Sequence, residues 1–258
     1  MTQSERRRFL IEYLLNENED YRGTEIPEDE RSQKYLLRSL MNVREPLLAS
    51  EDFLKVQNEY LIEENASRGL TDIADLKPVM NHDELYLWRG DITTLKVDAI
   101  VNAANSGLTG CYQPNHACID NCIHTFAGIQ LRKTCAEIME KQGFLEPSGK
   151  AKITSAFNLP CKYVLHTVGP IIKGNLTQKD CDLLSSCYKS CLALASENNC
   201  ESIAFCCIST GVFCFPQDKA GQIAVRTVCQ WKKENNSHIK VVFNVFGKNR
   251  LKSGQLCG

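Results

Sequence analysis

The sequence predicts an α/β layered domain preceded by a small all-helical unit, and three observations carry that prediction. Up to about residue 66 the apolar side chains recur at helical spacing. After residue 83 the period shortens to that of strands, and from there strands alternate with amphipathic helices. Taken in order, Phe9, Leu10, Tyr13 and Leu14 mark a first helix, Tyr35, Leu36, Leu40 and Met41 a second, and Phe53, Leu54, Tyr60 and Leu61 a third. Gly23 and Pro27 break the chain after the first and Pro46 after the second. Ser50 with Glu51 and Asp52 opens the third, where acids suit the positive end of a helix dipole. Residues 1–70 are therefore expected to form a helical extension, 71–82 a linker, 83–250 the α/β domain and 251–258 a tail. Six strands are expected, at residues 85–88, 99–101, 153–157, 163–168, 202–208 and 239–246. Helices are expected at residues 118 to about 141, 178 to about 197 and 217 to about 234. In such a fold ligands bind beyond the carboxyl ends of the strands, so the strand-to-helix loops are where chemistry is sought.

Cysteine usage narrows the setting. All fourteen cysteines lie between Cys111 and Cys257, and the first 110 residues hold none. A chain of 258 residues buries on the order of 70% of its surface and needs no covalent staples, which excludes a small disulfide scaffold. Most of the thiols, Cys187, Cys191 and Cys229 among them, read as small apolar fillers, and adjacent Cys206 and Cys207 are expected to point to opposite faces of a strand. The apolar run near the N-terminus is interrupted by Glu12, and no stretch reaches the ~18 apolar residues of a membrane span. A reducing, cytoplasmic setting, a monomer and no membrane partner are expected. The net charge of −1 divides into −6 over residues 1–80 and +5 over the rest. That surplus is too diffuse for a nucleic-acid stripe, but its sign suits a small anionic ligand.

Three loops carry chemistry. The first, Arg89-Gly90-Asp91-Ile92-Thr93, places Asp91 at a strand end, where it could also simply cap a turn. The second, Val101-Asn102-Ala103-Ala104-Asn105-Ser106-Gly107-Leu108-Thr109-Gly110, leaves a buried strand and sets two asparagines three apart. Their amides both donate and accept, which suits ribose hydroxyls. It runs into Cys111-Tyr112-Gln113-Pro114-Asn115-His116-Ala117-Cys118, a Cys-x4-His-x-Cys spacing. In an extended loop these thiols and the imidazole share a face, and three such ligands with one open position suit a catalytic zinc. Cys122, one helical turn beyond Cys118, could close the site as a fourth ligand or be a core residue. The third loop, Ile208-Ser209-Thr210-Gly211-Val212-Phe213-Cys214-Phe215-Pro216, offers consecutive backbone N–H groups before a helix, an arrangement that binds anions.

Together these strings resemble a macrodomain, the family that binds ADP-ribose. The resemblance rests on Gly90-Asp91-Ile92-Thr93, Val101-Asn102-Ala103-Ala104-Asn105-Ser106, Ile119-Asp120-Asn121-Cys122-Ile123-His124 with Ala127-Gly128, and Ser209-Thr210-Gly211-Val212-Phe213 with Phe215-Pro216. It covers about residues 84–247 and implies a three-layer α/β/α domain around a mixed six-stranded sheet. Where most hydrolytic relatives carry a glycine run, this chain has Cys111 to Cys118. That substitution is similar to the zinc-containing branch of protein-ADP-ribose hydrolases, which has a helical N-terminal extension and accompanies a sirtuin-like ADP-ribosyltransferase.

The resemblance implies one Zn2+ per chain on Cys111, His116 and Cys118. It puts Asp91 and the Ile92 backbone at the adenine, Phe246 stacked on that base, and Ser209, Thr210, Gly211, Val212 and Phe213 around the diphosphate. Asn102 and Asn105 would contact the distal ribose, with Asn105, Asp120 and His124 catalytic; His124 could equally be structural, and Phe246 could be a core aromatic. Cys214 replaces a commoner glycine. The implied activity is release of mono-ADP-ribose from an Asp or Glu ester of a protein such as a lipoyl carrier. A non-catalytic ADP-ribose reader, or an O-acetyl-ADP-ribose deacetylase with a closed structural zinc, are the rival expectations.

Overall fold

In the computed structural model, which describes residues 1–246, three helices come first: α1 (Gln3–Glu17), α2 (Glu30–Val43) and α3 (Glu51–Ser67). Each starts on a side-chain cap that satisfies a backbone N–H left open by the first turn. Thr2 and Glu5 form a capping box, Asp29 accepts from Ser32 N–H at 2.9 Å, and Ser50 Oγ accepts from Phe53 N–H at 3.2 Å. Leu10, Ile11, Leu14, Leu37, Leu40, Met41, Phe53, Tyr60 and Leu61 converge in one apolar cluster, which also takes in Ile129 from the following domain. Tyr35, expected on that face, is turned to solvent.

Residues 71–82 are structured rather than a plain linker. They hold β1 (Thr71–Asp72) and β2 (Pro78–Val79), and β3 (His82–Arg89) follows. β1 pairs in parallel with β4 (Leu95–Lys96), while β2 pairs antiparallel to β3 and adds a strand to the main sheet. The sheet therefore has seven strands where six were expected, because a two-residue strand is too short to show any period. The remaining elements are β5 (Ala99–Ala103), α4 (Ile119–Ala127), α5 (Ile129–Gln142), β6 (Ala151–Ser155), β7 (Tyr163–Thr167), α6 (Gln178–Glu197), β8 (Ser202–Phe205), α7 (Gln217–Glu234) and β9 (Lys240–Val245). Strand order is β2-β3-β9-β8-β5-β7-β6. The five inner strands are parallel and β6 is antiparallel to β7, so the loops after β3, β5, β8 and β9 all open on one edge. α6 packs on α7 and α4 on α5 in separate layers, and the N-terminal helices α2 and α3 lie against α4.

Two further departures have local causes. The single helix expected from 118 to 141 is two, broken at Gly128. Its φ is +100°, and a Cβ there would lie 2.7 Å from Gln130 Oε1 and 2.8 Å from Gln57 Nε2. The strand expected to reach 208 stops at Phe205. Beyond it Ile208 N–H bonds Cys206 O at 2.9 Å and Ser209 takes a φ of +62°, turning the chain into the next loop, so neither Cys206 nor Cys207 is in a strand. The expected domain end at 250, the tail 251–258 and Cys257 lie outside the described residues. No helix among the described residues is long and apolar enough to cross a membrane.

Candidate active site

The end of β5, the loop after it and the first turn of α4 build a buried amide-carboxylate network. Asn102 Nδ2 donates to Asp120 Oδ1 at 2.7 Å, and Asn105 Nδ2 to Asp120 Oδ2 at 3.3 Å and to Gly110 O at 2.9 Å. Burial pushes the Asp120 carboxyl up to about 6, against the pull of the Asn102 and Asn105 amides. Asn102 is fully buried, and its other amide hydrogen faces His166 Nδ1 at 3.2 Å. Asn102, expected to contact the distal ribose, thus has both amide hydrogens engaged in the interior, whereas Asn105 is half-buried. His124 is also buried, which holds its pKa well below the ordinary histidine value. Its Nε2 is 3.6 Å from Asp120 Oδ1, and neither ring nitrogen has a hydrogen-bond partner. The ring packs on Gly110, where a Cβ would come within 2.7 Å of His124 Cγ, so that position admits only glycine.

The loop from Cys111 to Cys118 brings its three donors together. The ligand atoms of Cys111, His116 and Cys118 all lie within 4.8 Å of one another, with Cys111 Sγ 3.6 Å from His116 Nδ1. Sulfur and nitrogen ligands of one tetrahedral zinc lie roughly 3.5 Å apart, so the set fits that ion and leaves a fourth position open. Cys118 also caps α4, accepting from Asn121 N–H at 3.4 Å, and burial pushes its thiol up to about 12. Cys122 is not in the convergent set. It accepts from Arg38 Nη2 at 3.6 Å, which removes the closed four-ligand alternative.

The helical extension holds this loop from behind. Arg38 Nη2 also donates to His116 O at 2.8 Å and to Asn121 Oδ1 at 2.9 Å. Asn42 Oδ1 accepts from Asn115 N–H at 2.9 Å, and its amide donates to Thr125 Oγ1 at 2.9 Å. Buried Arg132 of α5 gathers the carbonyls of Asn42 (2.7 Å) and Arg44 (2.6 Å) at the end of α2, where helix carbonyls lack partners. It reaches Thr109 O at 2.7 Å and stacks 4.1 Å from the centroid of Tyr112.

At the opposite end of the strand edge, Asp91 caps the turn Ile92–Thr94, accepting from Thr93 N–H at 2.9 Å. It also pairs with Arg68, the residue that ends α3. The loop after β8 folds on itself through Phe215 N–H to Ser209 O (2.9 Å) and Cys214 N–H to Gly211 O (3.0 Å). The N–H groups of Gly211, Val212 and Phe213 bond nothing among the described residues and are available to an anion. Cys214 keeps a left-handed φ of +57°, so the turn survives without a glycine. Phe246, just past β9, is 67% exposed, which removes its reading as a core aromatic. A cavity of about 1000 Å3 between α2, α3 and the loop before α2 is lined by Arg38, Asn115 and Thr125 from behind the cysteine loop but by none of the metal-donor, Asp120 or Asp91 residues.

A second group, His124, Cys135 and His166, also brings its ligand atoms within 4.8 Å. His166 Nε2 lies 3.0 Å from Thr154 Oγ1 and 3.7 Å from Cys135 Sγ, and burial lowers its pKa to about 4. Sequence reasoning passed over His166, Arg38, Asn42, Arg68 and Arg132. His166 left one signal, a lone imidazole in the apolar strand β7; the others lie on helices with nothing in their spacing to mark them.

Comparison with known proteins agrees with this geometry. The family model described as "Macro domain" matches residues 101–224, the span from the asparagine loop through the loop after β8 and into α7. The chain is 67% identical to the protein-ADP-ribose hydrolase of Treponema medium, covering 96% of each chain. It is 52% identical to that of Staphylococcus aureus (strain MSSA476), covering 92% of this chain and 90% of the relative. A Trypanosoma brucei macrodomain solved in complex with ADP superposes with a TM-score of 0.63 at 32% identity, covering 83% of this chain and 93% of that one. Likeness of that depth along nearly the whole length shows that the chain belongs to the macro domain family.

Proposed function

We propose that this protein is a zinc-containing hydrolase that releases mono-ADP-ribose from a modified protein side chain, an Asp or Glu ester. The observation that carries the reading is the start of α4. There Cys118, one of three convergent metal donors, stands two residues from Asp120, whose two carboxylate oxygens are clamped by Asn102 and Asn105. A nucleotide reader needs neither feature. The relatives that bear the name protein-ADP-ribose hydrolase support the same activity.

The chain's own residues divide the work. Asp91 with the Ile92 N–H accepts and donates at the adenine, the exposed Phe246 ring stacks on it, and the open N–H groups of Gly211, Val212 and Phe213 bind the diphosphate. Asn105 orients the distal ribose. Asp120 accepts a proton as water attacks, the bond between ribose and the ester oxygen breaks, and that proton leaves with the carboxylic acid while ADP-ribose takes the hydroxyl. His124 walls off Asp120 from the interior. When bound, zinc supplies a Lewis acid that orients an oxygen and stabilises charge developing on it. A lipoyl-carrier protein modified by a sirtuin-like transferase is the partner pair that this branch suggests.

Metal analysis of the purified protein, run beside release assays on substrates ADP-ribosylated on Asp, Glu, Ser or Arg, tests the reading. One zinc per chain with release from Asp and Glu alone is the expected result. Tight ADP-ribose binding with no release from any substrate would leave a reader instead.

A further inference from the structure

The helical extension reaches the Asp91 turn through Arg68. Arg68, at the end of α3, donates from Nη2 to Asp91 Oδ2 and, at 3.0 Å, to Thr93 Oγ1. Its guanidinium lies 3.5 Å over the Phe126 ring centroid and its Nη1 reaches Asn65 Oδ1 at 3.3 Å. Asn65 is fixed in turn, donating to Phe126 O at 3.1 Å and Asn158 O at 2.8 Å. The arginine is therefore held on three sides before it meets the carboxylate.

The carboxylate has little freedom left. Asp91 Oδ1 accepts from both Thr93 N–H (2.9 Å) and Thr93 Oγ1–H (2.6 Å), which fills its two lone-pair directions. Oδ2 spends one on Arg68. One acceptor direction remains, on a side chain that is 37% exposed. An ion-paired carboxylate offers no proton, so this direction suits an exocyclic amino group and repels an exocyclic carbonyl.

We infer that Arg68 is the specificity-determining residue of the base subsite: by fixing Asp91 with a single open acceptor direction, it makes the cleft select an amino-bearing purine over a 6-oxo purine. The inference rests on the ADP-ribose reading of the cleft. It gives residues 1–70 a direct part in substrate choice, since Arg68 enters with the helical extension.

Calorimetric titration of the full chain with ADP-ribose, ADP and the hypoxanthine analogue of ADP-ribose tests it, with thermal melts confirming that each variant is folded. The wild type is expected to favour ADP-ribose over the hypoxanthine analogue by roughly 100-fold. Arg68→Ala is expected to weaken ADP-ribose by about 10-fold, the loss of one charge-assisted positioning bond, and to shrink the base ratio to a few-fold. Arg68→Lys should restore part of the ratio, and adding Arg68→Ala to Asp91→Ala should change binding by less than about two-fold. An unchanged base ratio in Arg68→Ala, or tighter ADP-ribose binding there, overturns the inference alone. Failure of the wild type to bind either ADP or ADP-ribose overturns the reading of the cleft and the inference with it.

Discussion

Two clusters of thiol and imidazole flank Asp120 in sequence or contact, built from the same ligand types, and in each the ligand atoms lie within 4.8 Å of one another. Cys111, His116 and Cys118 lie on a half-buried loop; His124, Cys135 and His166 are wholly buried. What separates them is where the protons are. Asn102 Nδ2 can only donate, so His166 Nδ1 must accept, and its hydrogen sits on Nε2, the nitrogen that faces Thr154 and Cys135. The middle of the buried cluster holds an N–H, while in the loop His116 Nδ1 faces Cys111 Sγ beside an opening to solvent. Proximity of metal-loving side chains is thus not sufficient. The lone pairs must be unclaimed and an ion must have a way in.

The sharpest way to break this contrast is to remove one thiol from each cluster. Cys118→Ser is expected to drop the metal content from one ion per chain to nearly none and turnover by at least about 100-fold. Cys135→Ala should leave the metal content unchanged, and elemental analysis of both variants decides the matter. Next in size, His166→Leu strands the Asn102 amide hydrogen and removes the donor that Thr154 Oγ1 accepts from, and a loss of about 2 kcal/mol in denaturant melts is expected without loss of metal. Arg38→Ala removes the donors behind His116 and Asn121. It should weaken metal retention in a chelator competition by roughly 10-fold or more, as a lost supporting bond to a ligand loop does.

Acid titration separates the clusters by a smaller margin. His166 is held at about 4, below the ordinary 6.5, so between those values the unfolded chain binds the proton that the folded chain refuses. Stability present above pH 6.5 is lost as pH falls, by about 2 kcal/mol at pH 5. Asp120, raised by burial, works in the opposite sense, and His124 in the same one. The measurement is therefore the pH slope of the wild type against that of His166→Gln, which should be shallower. The smallest effect belongs to Cys122→Ala, where less than about 1 kcal/mol and no change in metal content are expected because the thiol lies outside the convergent donor set and its bond to Arg38 is long.

Much of the architecture was legible because local signals and packing agree. α6 and α7 fall on the expected residues 178–197 and 217–234, and α6 opens on a Thr177–Asp180 capping box. The convergence of Cys111, His116 and Cys118 followed from spacing within one loop. The contacts that complete the site did not, since Arg68 with Asp91, Arg38 with His116 and Asn102 with His166 each join separate elements. Periodicity reports which side chains are buried, and it is silent on what a buried polar group bonds once there. Gly128 illustrates the limit on the backbone side: a glycine inside a helical pattern reads as tolerated until the neighbouring Gln57 is seen to occupy the space of its side chain.

The pairing of β3 with β9 sets the order in which the cleft can mature. The loop bearing Asp91 leaves β3 early in the chain, yet it is fastened by Gly90 N–H to Val245 O and by Asn244 Nδ2 to Gly90 O, at the far end of the described sequence. The asparagine and cysteine loops depend on strands and helices closer at hand. Closing the β3–β9 ladder is a long-range event of the slow, entropically costly kind. The loop that carries Asp91 is thus fixed by a contact of longer sequence separation than those that hold the asparagine and cysteine loops, and its final geometry waits on the last strand of the sheet.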